Sequence, residues 1–228
     1  MKIFAHRGAS KEARENSMEA FRKALEIGVD GIELDCVLTK DKIPVVTHYD
    51  DLSILKLGNG FVRHKTWHEI KELGIPNLTQ VLELTRPTKT KVILDIKAQK
   101  GLMGIGPRII AGLAQEILAD DQILLSSFYW RHLFILKKYF PLLPRSLILY
   151  QRGFRLVPIE IFDKLFSIRG VHPWLKWTNA ALVKKWQSKG FKVNTWVANT
   201  EEEIKRCKEM GVDGIFTDDP RLARRILK

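Results

Sequence analysis

Short apolar runs alternate with amphipathic segments along almost the whole chain. Runs rich in Ile, Leu and Val predict buried strands, and apolar residues at helical spacing predict helices packed on them. The predicted strands are residues 3–6, 31–39, 91–97, 123–128, 146–150, 170–172, 192–197 and 214–217. The predicted helices are residues 17–27, 105–119, 130–139, 158–165, 179–188, 200–210 and 220–227. Asn16 or Ser17 is placed to cap the first helix, and Gly28 to end it.

The segment between residues 39 and 48 breaks this alternation. Residues 39–43 are too few for the crossover of roughly a dozen residues that joins parallel strands, and Asp41-Lys42 suits a tight turn. Residues 44–48 are therefore expected to run antiparallel to the preceding strand, as a hairpin extension. The other eight strands, each followed by a helix or helical segment, predict an α/β fold, a (β/α)8 barrel of the TIM type. We expect one domain over residues 1–228 with a small insertion at about 50–80, and a doubly wound open sheet is the alternative.

Ionisable side chains stand in strands that should otherwise be apolar. Because alternate residues of a strand share a face, Glu33 and Asp35 point the same way, and so do Asp95 and Lys97. Carboxylates are not buried together without compensation, so three of them near strand ends indicate a divalent cation. Ligands that are all oxygen favour Mg²⁺ or Ca²⁺ over zinc, and Mn²⁺ is a further candidate. The alternative is a set of ion pairs that join Asp95 to Lys97 or Arg7.

Two of the six histidines end predicted strands at the same rim as these carboxylates. His6 and His48 are therefore candidates for proton transfer, because an imidazole exchanges a proton near neutral pH. Arg7 follows His6, and a guanidinium group suits a phosphate. His172 also ends a strand and is a weaker candidate for the site. The remaining histidines lie in polar or helical stretches and are expected at the surface; they are His64, His68 and His132.

The formal net charge of +12 indicates a surface that attracts anions such as phosphorylated metabolites, nucleic acid or anionic lipid, although a general bias towards lysine is the alternative. The basic residues are spread along the chain, which argues against nucleic-acid binding. Cys36 and Cys207 lie far apart and in no metal-type spacing, so we expect both to be reduced. There is no secretory signal and no apolar run near the roughly 20 residues of a membrane span. These features predict a cytoplasmic protein.

Eight short motifs resemble those of the glycerophosphodiester phosphodiesterase family. They occur in the family's order and span nearly the whole chain, and their combination is specific although each alone is weak. The motifs are His6-Arg7-Gly8, Glu15-Asn16-Ser17, Gly31-Ile-Glu33-Leu-Asp35, Pro44-Val-Val-Thr-His48, Leu94-Asp95-Ile96-Lys97, Ser127-Phe128, Asn194-Thr195-Trp196-Val197 and Gly211-Val-Asp-Gly-Ile-Phe-Thr217-Asp218. The resemblance implies a metal-dependent hydrolase of lipid and glycerol metabolism. It also implies a barrel with a hairpin-like insertion after the second strand, in agreement with the strand count.

The resemblance further implies a role for each matching residue. Metal binding would fall to Glu33, Asp35 and Asp95, and general acid and base catalysis to His6 and His48. Phosphate and substrate binding would fall to Arg7, Lys97 and Trp196, with Glu15 and Asn16 shaping the first loop. In the family, a glycerol hydroxyl is thought to attack the phosphorus, and water then opens the cyclic phosphate to give glycerol 3-phosphate. Gly8 is expected to form a turn that a side chain would obstruct.

The chain departs from the family pattern in two regions. Tyr49 follows the second histidine, where Asp is usual, while Ile54 replaces an Arg and Leu55-Lys56-Leu57 a Thr-rich stretch. Asp95 stands where the third metal carboxylate is usually Glu, which leaves the affinity and choice of metal open. A shifted ion, or a water between Asp95 and the ion, would accommodate the shorter side chain. Because both histidines and the first two carboxylates are present, catalysis is still expected.

Three functions are compatible with these observations. The first is hydrolysis of a glycerophosphodiester, a small-molecule substrate. The second is cleavage of lysophospholipids at a membrane surface, of the lysophospholipase D type, suggested by the positive charge and the apolar segments 140–144 and 154–158. The third is a non-catalytic module that binds phosphate or nucleic acid, suggested by Tyr49 and Asp95. The sequence does not predict the oligomeric state.

Overall fold

The computed structural model describes residues 1–150 and 158–227. Within these ranges, eight parallel strands form a barrel and one further strand extends it at the edge of β2. The strands are β1 (Lys2–His6), β2 (Gly31–Leu38), β3 (Pro44–Val46), β4 (Lys91–Ile96), β5 (Ile123–Ser127), β6 (Arg145–Leu149), β7 (Gly170–Pro173), β8 (Lys192–Thr195) and β9 (Gly214–Thr217). The barrel closes because β1 pairs in parallel with both β2 and β9. The predicted (β/α)8 fold is confirmed, and the open sheet is wrong.

Helices surround the barrel and alternate with its strands. In the described ranges they are α1 (Met18–Ile27), α2 (Trp67–Lys71), α3 (Leu78–Thr85), α4 (Gly106–Ile117), α5 (Trp130–Tyr139), α6 (Ile159–Phe166), α7 (Ala180–Gln187), α8 (Glu201–Met210) and α9 (Pro220–Leu227). Ser17 caps α1, and Gly28 ends it with a φ of 78°, as predicted. The hydrophobic pattern did not locate α3, which begins at a reciprocal capping box formed by Asn77 and Gln80.

The hairpin extension is also confirmed. β3 runs antiparallel to β2, with Cys36 opposite Val46 and Leu38 opposite Pro44. The insertion that follows contains α2 and has a small apolar core of its own, formed with the hairpin by Val37, Val45, Leu52, Val62, Ile70 and Ile75. This second core anchors the insertion beside the end of β3, next to the position of His48.

The barrel interior is closed by an apolar layer below the mouth. Phe4, Ile93 and Phe216 form a small cluster separate from the main core between strands and helices. Gly31 and Gly214 make room for Phe4, because a Cβ would lie 2.8 Å from its ring at Gly31 and 2.6 Å at Gly214. The polar residues at the carboxyl ends of the strands therefore lie above an apolar floor.

The prediction that His132 is a surface residue is wrong, whereas His64 and His68 are exposed as predicted. His132 is fully buried on α5, where its Nδ1 lies 3.0 Å from Ser127 Oγ and 3.1 Å from the Ile96 carbonyl oxygen. Burial lowers its pKa, so the ring is neutral. His132 thus connects α5 to the ends of β4 and β5, a structural role.

The two cysteines are buried, and one of the two apolar segments is partly exposed. Cys36 and Cys207 are buried free thiols. Among the described residues, no helix has both the length and the apolar character needed to cross a membrane. The segment 140–144 is divided, because Leu143 is buried while Leu142 is 84% exposed. Residues 154–157 of the other segment lie outside the described ranges.

Candidate active site

Strand register brings the predicted metal ligands together at the barrel mouth. Asp35 on β2 pairs with Asp95 on β4, and Glu33 pairs with His6 on β1. The three carboxylates are almost fully buried, and one oxygen from each lies within 4.8 Å of the others. The side chain of Asp95 therefore reaches the group although it is one methylene shorter than Glu. Such a set of oxygen ligands suits a hard divalent cation.

Two cationic side chains neutralise only part of this cluster. Lys97 Nζ lies 2.7 Å from Asp35 Oδ1 and also donates to Asp95 Oδ2, while Arg7 Nε lies 3.1 Å from Asp35 Oδ2. Two positive charges thus face three carboxyl groups. Asp95 Oδ1 is buried and has no hydrogen-bond partner among the described residues. Ion pairs alone leave this oxygen and one negative charge uncompensated, so the residues fit a bound cation.

The three carboxyl groups differ in how readily they ionise. Burial, reinforced by the charges of Asp35 and Asp95, raises the pKa of Glu33 well above its usual value. Burial also raises the pKa of Asp95, and Lys97 offsets this only in part. For Asp35, burial is outweighed by Lys97 and the other cationic neighbours, which hold its pKa well below the usual value. A cation bound among the three carboxyl groups would favour their ionised forms.

The loop after β1 is bonded tightly to this cluster. Arg7 and Asn16 have φ angles of 58° and 54°, which residues other than glycine seldom adopt. The backbone N–H of Arg7 donates to Glu33 Oε2 at 3.0 Å, and its Nη1 donates to Glu15 at 2.8 Å. Asn16 Nδ2 donates to Asp35 Oδ2 at 2.8 Å, and Asn16 Oδ1 accepts the backbone N–H of Asp35. These bonds stabilise the strained backbone and fix both side chains.

Gly8 forms the turn in this loop. Its φ is 84°, and a Cβ at this position would lie 2.7 Å from the carbonyl carbon and Cβ of Ala20. The expectation that a side chain would obstruct the turn is confirmed. This close approach packs α1 directly against the loop that carries Arg7.

Each of the two candidate histidines has a carboxylate at Nδ1. His6 Nδ1 lies 2.6 Å from Asp218 Oδ1, and His48 Nδ1 lies 3.1 Å from Asp35 Oδ1. The ring of Tyr49 meets His48 edge-on, with the centroids 4.4 Å apart. At His6 this contact is a hydrogen bond, and because a carboxylate accepts, the proton lies on Nδ1 and Nε2 is left to exchange a proton with a substrate. At His48 the carboxylate lies close to Nδ1 without hydrogen-bond geometry.

Asp218 ends the last of the eight motifs, and no role was predicted for it. Asn199 Nδ2 donates to it at 2.6 Å and Ser10 Oγ at 3.1 Å, which orients the carboxylate at His6. Burial opposes its ionisation, but His6 and these two donors hold its pKa below the usual value. A signal was available, because barrel closure places the residue after β9 beside the end of β1.

One cleft at the mouth of the barrel joins these residues. We call one side the charged wall; it consists of His6, Arg7, Glu33, Asp35, His48, Asp95 and Lys97. The other side, the apolar wall, consists of Phe128, Ile148, Trp196 and Phe216, with Ser126 and His172 among them. Trp196 thus faces the other predicted residues across the cleft. Glu15 and Asn16 lie behind Arg7 and Asp35 and do not line it.

The apolar wall contains one titratable side chain, and it stays neutral. His172, the weaker candidate, is buried in the cleft, and burial lowers its pKa to about 3. Its Nε2 lies 3.4 Å from the amide nitrogen of Asn194, and its carbonyl oxygen accepts the indole N–H of Trp196 at 2.8 Å. Trp196 in turn packs edge-on against Phe128, with the centroids 5.7 Å apart. This wall can therefore hold a polar, uncharged group between rings.

The acidic residue after Tyr49 does not take the place of the usual Asp beside the second histidine. Asp50 pairs with Arg63 and accepts a hydrogen bond from Gln99 Nε2 at 2.9 Å. Gln99 also bonds the backbone of Leu38 at the end of β2. Asp50 therefore ties the insertion to the barrel, and the aromatic ring of Tyr49 is what contacts His48.

The chain is similar in sequence to several known proteins. A model of the glycerophosphoryl diester phosphodiesterase family matches residues 6–222. A glycerophosphodiester phosphodiesterase of Caldanaerobacter subterraneus subsp. tengcongensis is 35% identical over 232 residues, covering 96% of this chain and 94% of the relative. A mouse lysophospholipase D is 28% identical, covering 95% of this chain and 82% of the relative.

The fold is similar to that of solved structures as well. An Oleispira antarctica phosphodiesterase, solved in complex with the product sn-glycerol-3-phosphate, superposes with a TM-score of 0.92 at 23% identity. The match covers 100% of this chain and 96% of that one. From the family match over residues 6–222 and the 35% identity of a named relative, the chain belongs to the glycerophosphoryl diester phosphodiesterase family.

Proposed function

We propose that this protein hydrolyses glycerophosphodiesters to glycerol 3-phosphate and an alcohol, with the help of one divalent cation. The observation that carries the proposal is the charged wall itself. Two histidines with carboxylates at Nδ1, two cations and three buried carboxyl groups line one cleft. Family membership and the named relatives support the same reaction.

Glu33, Asp35 and Asp95 would hold the cation, and the unpartnered Asp95 Oδ1 is the clearest sign of it. When bound, Mg²⁺, Ca²⁺ or Mn²⁺ would neutralise phosphate charge and make a nearby hydroxyl more acidic. Arg7 and Lys97 would stabilise the charge that develops on the phosphoryl oxygens. Burial opposes charge on both, but neighbouring carboxylates raise the pKa of each, so both remain cationic.

The two histidines would transfer the protons. In the first step a glycerol hydroxyl attacks phosphorus and gives its proton to one imidazole, while the other protonates the oxygen of the departing alcohol. The product of this step is a cyclic phosphate. In the second step water attacks phosphorus, and the imidazoles exchange roles as the ring opens. Trp196 and Phe128 would hold the glycerol carbons during both steps.

The test is alcohol release by the purified protein. Metal-stripped protein is assayed against glycerophosphocholine, glycerophosphoethanolamine and glycerophosphoglycerol, each with Mg²⁺, Ca²⁺ or Mn²⁺ restored and each with excess chelator. The proposal predicts release of alcohol and glycerol 3-phosphate in at least one metal condition and none with chelator. Failure to cleave any of these diesters with any of the three ions would refute it.

Cleavage of lysophospholipids at a membrane surface is the second candidate. Next to Phe128 of the apolar wall, Tyr129, Trp130 and Phe134 are 44–56% exposed, and Arg131 lies among them. Aromatic and basic side chains together are typical of contact with a membrane interface. Peripheral membrane contact predicts binding to vesicles that contain anionic lipid at low salt, and lack of binding would exclude this candidate. Cytoplasmic location and a single domain over 1–228 stay predictions.

A further inference from the structure

A groove leads away from the catalytic cleft at His48. It shares His48 with the charged wall and runs over the start of the insertion, with a volume of about 240 Å³. Its aliphatic lining is Val46, Ile54, Leu55, Leu57 and Ile75, and Tyr49 stands at the end nearest His48. The groove thus opens where a substituent on a phosphate between His6 and His48 would leave the cleft.

Three polar side chains that border the groove have partners in the protein. Arg14 donates to the carbonyl oxygen of Gly74, and Glu15 accepts from Arg7 at 2.8 Å. Asn16 uses both ends of its amide on Asp35. A ligand that competed for Glu15 or Asn16 would break a partly buried or buried bond, which is costly. Apart from these polar side chains and Thr47, His48 and Tyr49, the lining of the groove is aliphatic.

The aliphatic side chains are held in place and are accessible. Leu55 and Leu57 pack on the small core of the insertion, which fixes the floor of the groove. Ile54 is 56% exposed and Tyr49 40% exposed at its edge. An aliphatic chain laid along these residues would remove apolar surface from water on both sides, a favourable exchange.

The central cleft has the opposite character. It holds the carboxylates that would bind the cation and the neutral imidazole of His172, which can bond a hydroxyl group. The hydroxyl-bearing glycerol half of a diester therefore fits the cleft, and the other substituent of the phosphate faces the groove. Among the described lining residues, a quaternary ammonium group would meet one Tyr ring, that of Tyr49, and a carboxylate, Glu15, that Arg7 already neutralises.

We infer that the groove binds the alcohol half of the substrate and selects glycerophosphodiesters of aliphatic alcohols. The inference rests on the proposed function, because it takes the phosphate to lie between His6 and His48. It adds a binding site and a preference: uncharged alkyl chains over cationic or strongly polar head groups.

A chain-length series tests the inference. The protein is assayed with glycerophosphodiesters of ethanol, butanol and hexanol below their aggregation concentrations, and with glycerophosphocholine. We expect kcat/KM to rise by about two- to fourfold per added methylene, the gain for burying a CH₂ partly or fully. The choline diester should be a poorer substrate than the hexanol diester. A flat or falling series would overturn the inference while leaving the proposed function standing.

Two matched variants test whether the groove causes the preference for longer alkyl chains. Ile54→Asp places a charge in the groove, and Ile161→Asp makes the same change at an isoleucine on α6 with similar exposure, 50% against 56%. The readout is the ratio of kcat/KM for the hexanol and ethanol diesters within each protein. Ile54→Asp should lose most of this ratio and Ile161→Asp none of it. An unchanged ratio in Ile54→Asp would show that the chain lies elsewhere.

Binding of alkyl phosphates, which are fragments of the substrate, tests the groove separately from the proposed hydrolysis. Ethyl, butyl and hexyl phosphate are titrated calorimetrically into wild-type protein and Ile54→Asp, without any turnover. Tighter binding of the longer chains by wild type alone, with a more negative heat capacity change, supports the groove even if no diester is cleaved. Equal affinities for the three phosphates would count against it. A chain-length gain found only with acyl groups on the glycerol half would also overturn the inference.

Discussion

The charged wall and the apolar wall face each other across one cleft but are held together differently. On the charged wall most groups are fixed by hydrogen bonds to their neighbours, as Asn16 fixes Asp35 and Asp218 fixes His6. On the apolar wall, packing does this work, as Phe128 meets Trp196. From this contrast we propose that the charged wall carries the phosphorus chemistry and that the apolar wall fits the glycerol. Changes to the charged wall should lower kcat, and changes to the apolar wall should mainly raise KM.

The largest effect is expected from His48→Ala. Loss of a general acid or base lowers kcat by about 10²–10⁴-fold. The exposed His64 provides the control, because His64→Ala removes the same ring without touching the cleft. The measurement is kcat of both variants from steady-state kinetics on one glycerophosphodiester. Similar kcat values for the two variants would remove His48 from the mechanism.

Asp218→Asn should have a smaller effect on the same wall. Asp218 acts through His6 and is a positioning residue, so we expect kcat/KM to fall by about 10–100-fold. The loss should fall on kcat, with KM within about twofold of wild type, because Asp218 orients the imidazole of His6 and does not line the cleft. A loss that falls mainly on KM would contradict the assignment.

Phe128→Leu tests the apolar wall. The substitution keeps an apolar side chain but removes the ring that packs against Trp196, an interaction of about 0.5–1.5 kcal/mol. KM should rise by about two- to tenfold with kcat within twofold of wild type. A large fall in kcat at constant KM would mean that the two walls do not divide the work as described.

The smallest effect concerns acid stability. The pKa of Asp218 is lower in the fold than in the unfolded chain, so its ionisation stabilises the fold above the unfolded pKa of about 3.9. This contribution is lost as the pH falls through the folded value. The melting temperature of wild type should exceed that of Asp218→Asn at pH 7, and the difference should shrink below about pH 4. A difference that stays constant from pH 7 to pH 3 would contradict this.

The contrast between the two walls also explains why the sequence predicts the charged wall better than the apolar wall. Glu33, Asp35 and Asp95 interrupt apolar strands, and a buried carboxylate is costly enough to indicate a function by itself. Ile148 and Phe216 give no such signal, because an apolar strand residue looks the same whether it packs in a core or faces a ligand. His132 shows the opposite error, because it was predicted at the surface and is buried. A histidine in an amphipathic helix can be buried when a ring nitrogen forms hydrogen bonds within the protein.

The fold was predictable because it follows from local pattern and connection length. Eight strand–helix units and one connection too short for a crossover give a barrel with a hairpin. The helix α3 was missed because it follows the insertion, where the alternation is interrupted. Asp218 was missed as a partner of His6 because their contact spans 212 positions and exists only once the barrel closes.

The central claim is that the charged wall holds one divalent cation on which hydrolysis depends. A titration of metal-stripped protein with Mn²⁺, followed by both melting temperature and alcohol release, tests it most directly. For wild type, both curves should saturate together, with a stabilisation of about 2.7 kcal/mol at 100 times the Kd. Glu33→Gln should lose both responses, and Glu116→Gln, at an exposed position on α4, should keep them. Full activity of the stripped protein in excess chelator, with no shift in melting on adding metal, would contradict the account.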